Sequence, residues 1–179
     1  MHRRSSVVAI ASIVLMAAVA LVFIARVAPW RAAAAESPVY VHMNGANDFL
    51  EPVVAVRPGQ AVVFVNQDTG IHTIIGYDPA TGKVLSNIDG DVKGTPGAGH
   101  PVAAYTVKLT KPGIYSYYCS VHAQLVKTFG GAVQAAPRKG VDGFGGAMAG
   151  VIIVTSDPHL LGANPKTSAR KILPGFYGG

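Results

Sequence analysis

The sequence predicts an all-β fold on three observations. Short β-branched runs recur along the chain, turn signals stand directly before several of them, and no helical apolar period of useful length occurs past residue 36. The first run, 39–43, is followed by 52–56, and Arg57-Pro58-Gly59-Gln60 then makes a turn into 61–66. Gln67-Asp-Thr-Gly70 connects that run to 72–75. The stretch 77–100, rich in Gly, Asp and Pro, reads as a long connection with room for irregular strand or a helical turn. Run 102–108 leads to the turn Thr110-Lys111-Pro112-Gly113 and to run 114–119. Residues 127–146 hold six glycines and one proline and read as a loop before the last run, 151–155. The tail, 156–179, has no periodic pattern. Seven short strands of this kind argue for a sandwich or a small barrel.

The first 35 residues are of a different kind. A basic start (Arg3, Arg4), an apolar stretch from Val7 to Ala25 broken only by Ser12, and small residues before Glu36 have the order of a secretory signal, with a cleavage point after Ala35. The apolar stretch is long for a signal core: at about 1.5 Å per residue it reaches roughly 28 Å, close to the hydrocarbon thickness of a bilayer. An uncleaved N-terminal membrane anchor is therefore the alternative to a removed leader, and export to the periplasm or another extracytoplasmic space follows from both. Past this segment the charge falls from +6 to +2, so nucleic-acid binding is not expected.

One cysteine in 179 residues excludes an internal disulfide framework and every multi-thiolate metal site. The chemistry gathers instead at strand ends. Run 61–66 leads to His72, and run 114–119 ends in Cys119-Ser-Val-His122. Two imidazoles and one thiolate on neighbouring loop ends make a trigonal set suited to copper, because soft thiolate and borderline imidazole hold both of its oxidation states. Met148, just before the last run, offers a weak axial thioether; Gln124 is the rival, or no fourth protein ligand. Asn66 reads as a turn residue or as a tether between ligand loops. His42, His100 and His159 have no cluster around them in sequence and read as solvated or structural.

At these residues the chain resembles the cupredoxins, the plastocyanin and pseudoazurin-like group of small blue copper proteins. The resemblance lies in Val62-Val-Phe-Val-Asn66 with His72, in Tyr115-Ser-Tyr-Tyr-Cys119-Ser-Val-His122, and in Met148-Ala-Gly-Val-Ile-Ile-Val, and it spans roughly residues 38–155. One departure stands out: 25 residues separate His122 from Met148, where the family's pattern has only a few. The resemblance implies a Greek-key β-sandwich domain over 36–155 with an extended ligand loop, 123–147, and a basic C-terminal tail, 156–179. It also implies one copper held by His72, Cys119, His122 and axial Met148, and single-electron transfer between redox partners such as a cytochrome or terminal oxidase, with His122 as the exposed exit. No catalytic residue is implied. The insertion (Lys127, Arg138 and Lys139 against Asp142) and the tail (Lys166, Arg170 and Lys171 against Asp157) each carry +2, which suits an acidic partner or an anionic membrane surface. The alternatives are a copper chaperone or store, and a copper enzyme with an open coordination position. A trinuclear oxidase cluster is excluded, since no His-x-His pair exists.

Overall fold

A computed structural model describes residues 36–97, 100–141 and 146–165. The expected leader or anchor, 1–35, lies outside the described residues, as does the tail from 166. No helix among the described residues is long and apolar enough to cross a membrane.

Two mixed sheets face each other. The first has the order β2-β1-β4-β7, with β1 at Val39–Asn44, β2 at Asp48–Phe49, β4 at Ala61–Asn66 and β7 at Ala103–Lys108. The second has the order β3-β11-β8-β5-β6, with β3 at Val53–Val56, β5 at His72–Tyr77, β6 at Val84–Val92, β8 at Gly113–Tyr118 and β11 at Ala149–Val154. The strand period of two turns Val62 and Phe64 of the first sheet and Ile74, Tyr117, Ile152 and Val154 of the second into one shared core. At its centre three rings meet edge to face: Phe49 and Phe64 lie 5.0 and 5.1 Å from Tyr117, centroid to centroid. Burial first, then the charges of Glu51 and Asp48, hold the Tyr117 phenol well above its ordinary pKa, so it stays protonated.

Three stretches depart from the sequence reading. The connection 77–100 contains the nine-residue strand β6, whose mostly exposed edge position hides it from a hydrophobicity scan. The stretch read as a loop, 127–146, carries half of a hairpin, β9 (Ala123–Lys127) against β10 (Val133–Pro137). Its turn is built by Gly130 and Gly131, both at positive φ, and closed by two backbone bonds: Gly131 N donates to Thr128 O at 3.0 Å and Thr128 N to Ala132 O at 2.7 Å. The start of the tail forms a short helix, α1 (Pro158–Gly162), capped by the Asp157 side chain.

The hairpin is strapped along the second sheet. Val133 N donates to Pro79 O at 2.7 Å, and Ala135 N to the Tyr77 hydroxyl at 3.3 Å. Pro79 follows the end of β5 opposite His72, so the hairpin runs from His122 away toward the far turn of the sheet and back.

Candidate metal centre

Strand pairing brings the donors to one pole. β5 and β8 are antiparallel with Ile75 opposite Tyr118, so the start of β5 meets the chain just past β8. β11 pairs with β8 with Ala149 opposite Tyr118, which sets Met148 beside Cys119; Cys119 N donates to Met148 O at 2.9 Å. A tight turn, with Ala123 N donating to Cys119 O at 2.8 Å, folds His122 back over the cysteine.

His72, Cys119 and His122 result as one buried cluster, with ligand atoms all within 4.8 Å of one another. Cys119 Sγ lies 3.4 Å from His122 Nδ1 and 3.9 Å from His72 Nδ1, and the two rings are 4.8 Å apart, centroid to centroid. Two bonds of about 2.0–2.3 Å to a common centre span at most ~4.4 Å, so both sulfur–nitrogen separations fit a shared metal ion. One soft thiolate with two imidazoles is the donor chemistry that copper takes in either oxidation state. His72 and Cys119 are fully buried while His122 is 9% exposed, making His122 the donor nearest the surface.

The thiol is shifted toward its thiolate form. Burial pushes its pKa up, but the His72 ring and the backbone N–H groups of Thr73, His122 and Val121 outweigh burial and bring it from 9.0 to about 6. Thr73 N donates to Sγ at 3.3 Å, and Ser120 N donates to Thr73 Oγ1 at 2.7 Å, so one threonine links both loops.

Met148 is 1% exposed and belongs to the same apolar cluster as Cys119, whereas Gln124 is exposed on β9. Asn66 is a tether rather than a plain turn residue. Its Nδ2 donates to Gly70 O at 2.8 Å and Lys93 O at 3.0 Å, while its Oδ1 accepts from Asp68 N at 2.9 Å. The Thr95 hydroxyl adds a 2.6 Å bond to Asn66 O. Gly94 lets these loops close, since a Cβ there would run into the Thr69 carbonyl.

His42 is not solvated: it is fully buried on β1 with Nδ1 3.1 Å from Glu51 Oε2, which also accepts from His42 N at 2.9 Å. His100 and His159 are exposed. Two contributors escaped the sequence reading: Asp68, whose Oδ2 lies 3.1 Å from His72 Nε2, and Thr73; Arg138, read in the sequence for its charge alone, also reaches the site through its main chain, its N donating to His122 O at 3.1 Å. For Asp68 a signal existed, a carboxylate four residues before a candidate ligand.

No family profile matches the chain. Chloroplastic plastocyanin of Chlamydomonas reinhardtii is 32% identical over 109 residues, covering 60% of this chain and 73% of that protein. Among solved structures, a reduced Cu(I) amicyanin variant is similar over 69% of this chain and 88% of its own, at 18% identity and a TM-score of 0.42. A purple cupredoxin from Nitrosopumilus maritimus is similar over 65% and 99%, at 18% identity and a TM-score of 0.43. The sequence match to plastocyanin is what decides kinship, and by it the chain belongs to the cupredoxin family.

Proposed function

We propose that this chain binds one copper ion through His72, Cys119 and His122, with Met148 as the weak axial ligand, and carries single electrons between redox proteins outside the cytoplasm. The observation that carries the reading is the buried thiolate–imidazole cluster with its donor atoms within 4.8 Å. When bound, copper supplies a one-electron couple between Cu(I) and Cu(II). The chain supplies a fixed frame for both states. Cys119 sits at a strand end clamped by Met148 O and Thr73 N, and His72 opens β5 beside the pinned Asn66 loop. Side chains held this firmly need little rearrangement when the charge of the site changes, which keeps transfer fast.

His122, the donor nearest the surface, is the exit. Arg138 and Lys139 stand next to it, because β10 returns there and Arg138 N bonds the His122 carbonyl. Lys127 does not share that place. It lies five residues along β9, at about 3.3 Å per residue some 17 Å from His122. An acidic face on a redox partner therefore meets Arg138 and Lys139 at the exit, while Lys127 lies at the other end of β9. Export is supported by the order of the first 35 residues.

Copper titration with potentiometry tests the reading: one copper per chain with a reversible one-electron wave is expected. Uptake of Cu(I) alone, released readily to a chelator and giving no reversible wave, would overturn it in favour of copper handling.

A further inference from the structure

Asp68 lies on the short connection between β4 and β5, and its Oδ2 is 3.1 Å from Nε2 of His72. An ionised carboxylate only accepts, so Nε2 carries the proton and donates, and Nδ1 is left as the ligating nitrogen, the one turned toward Cys119 Sγ at 3.9 Å. The backbone that carries the carboxylate is itself held. Asp68 N donates to Asn66 Oδ1 at 2.9 Å, Asp68 O accepts from Thr95 N at 2.7 Å, and the side chain is only 16% exposed. Among the described residues no carboxylate pairs with His122 in the same way. The two imidazoles of the cluster are therefore unequal: one is backed by a fixed negative charge and the other opens to the surface.

We propose that Asp68 is a positioning residue that strengthens His72 as a donor and so lowers the reduction potential of the site. The inference rests on the copper reading above. A carboxylate accepting from the outer N–H shifts electron density onto the inner nitrogen and fixes the ring's orientation. The more highly charged Cu(II) gains more from that density, and from a nearby, largely shielded negative charge, than Cu(I) does.

Two variants separate charge from hydrogen bond: Asp68→Asn keeps an acceptor oxygen and loses the charge, while Asp68→Ala loses both. Asp157→Asn is the control for net charge. It caps α1 beyond the end of β11 opposite Met148, where Asn caps equally well. Removing such an outer partner costs about 10–100-fold in metal affinity. Asp68→Ala is expected to weaken Cu(II) relative to Cu(I) about tenfold, read as a potential raised by about 59 mV, with Asp68→Asn between it and the wild type. Zinc(II) affinity, which involves no redox change, is expected to fall in the same order. If Asp68→Ala does not fold, Asp68→Asn carries the test. An unchanged potential in the Asp68 variants, or a shift no larger than that of Asp157→Asn, would overturn the proposal. A wild-type chain that takes up no copper would sink the function above, and the zinc affinities would still decide the role of Asp68.

Discussion

His72 and His42 look alike at first: both rings are fully buried, and both have a nitrogen 3.1 Å from a carboxylate oxygen. The difference is what stands at the metal pole. His72 presents Nδ1 to a cysteine sulfur and a second imidazole, whereas the pairing nitrogen of His42 is Nδ1 itself, turned to a Glu51 that also takes the His42 backbone N–H. A buried histidine–carboxylate pair is thus a structural device by default. It becomes part of a metal centre only where the opposite nitrogen converges with a soft donor.

The comparison breaks most visibly by exchange of losses. His72→Ala is expected to abolish stoichiometric copper uptake while the protein still folds. Glu51→Gln is expected to leave uptake intact and to destabilise the fold by about 1–3 kcal/mol, the range for leaving a buried polar group short of its hydrogen-bond partner. Denaturant unfolding and copper titration on both variants read the result, and loss of copper from Glu51→Gln would collapse the distinction.

The cysteine that separates the two histidines has its own signature. In metal-free protein the Cys119 thiolate absorption is expected to appear with a midpoint near 6 instead of 9.0. Because the folded-state value is the lower one, this contribution to stability is complete above the unfolded thiol's pKa, near 9, and is lost as pH falls through about 6. A metal-free Tm that does not rise across that window relative to Cys119→Ala would contradict it.

A finer contrast lies between Met148 and Gln124. Met148→Leu is expected to raise the potential and alter the visible spectrum, since a buried thioether beside Cys119 is exchanged for an alkyl group. Gln124→Ala, at an exposed position on β9, is expected to change neither. The reverse pattern would transfer the axial role to Gln124. The smallest effect belongs to the surface. Neutralising Arg138 and Lys139 should slow transfer to an acidic partner at low salt and flatten its salt dependence, as the Debye length shortens from about 30 Å at 0.01 M to about 10 Å at 0.1 M. Neutralising Lys127 alone should do little, and an equal effect from Lys127 would show that docking uses the whole hairpin.

What could be read in the sequence follows from what is local. The strand 61–66 is found residue for residue because its inward Val62 and Phe64 alternate with less buried neighbours between clear turns. The clustering of three side chains was legible for the same reason: His72, Cys119 and His122 lie at or just past strand ends, where one-dimensional spacing maps onto space. β6 was not legible, since only Ile88 and Val92 of its nine residues are buried. Neither was the hairpin, whose strands mix Ala, Gln and Pro among a few apolar residues and whose support comes from Tyr77 at the end of β5 and from Pro79 just past it. His42 meets Glu51 through the glutamate side chain, and Arg138 meets His122 through the main chain, in contacts that no local pattern encodes.

Everything proposed for the site depends on Cys119 ligating copper in a cluster with His72 and His122. The visible and electron-spin spectra of the Cu(II)-loaded wild type, recorded beside Cys119→Ser, test it most directly. One copper per chain with an intense thiolate-to-copper charge-transfer band is expected in the wild type, and no such band in the variant. A variant that stays intensely coloured, or a wild type whose spectra show only nitrogen and oxygen ligands, would contradict it.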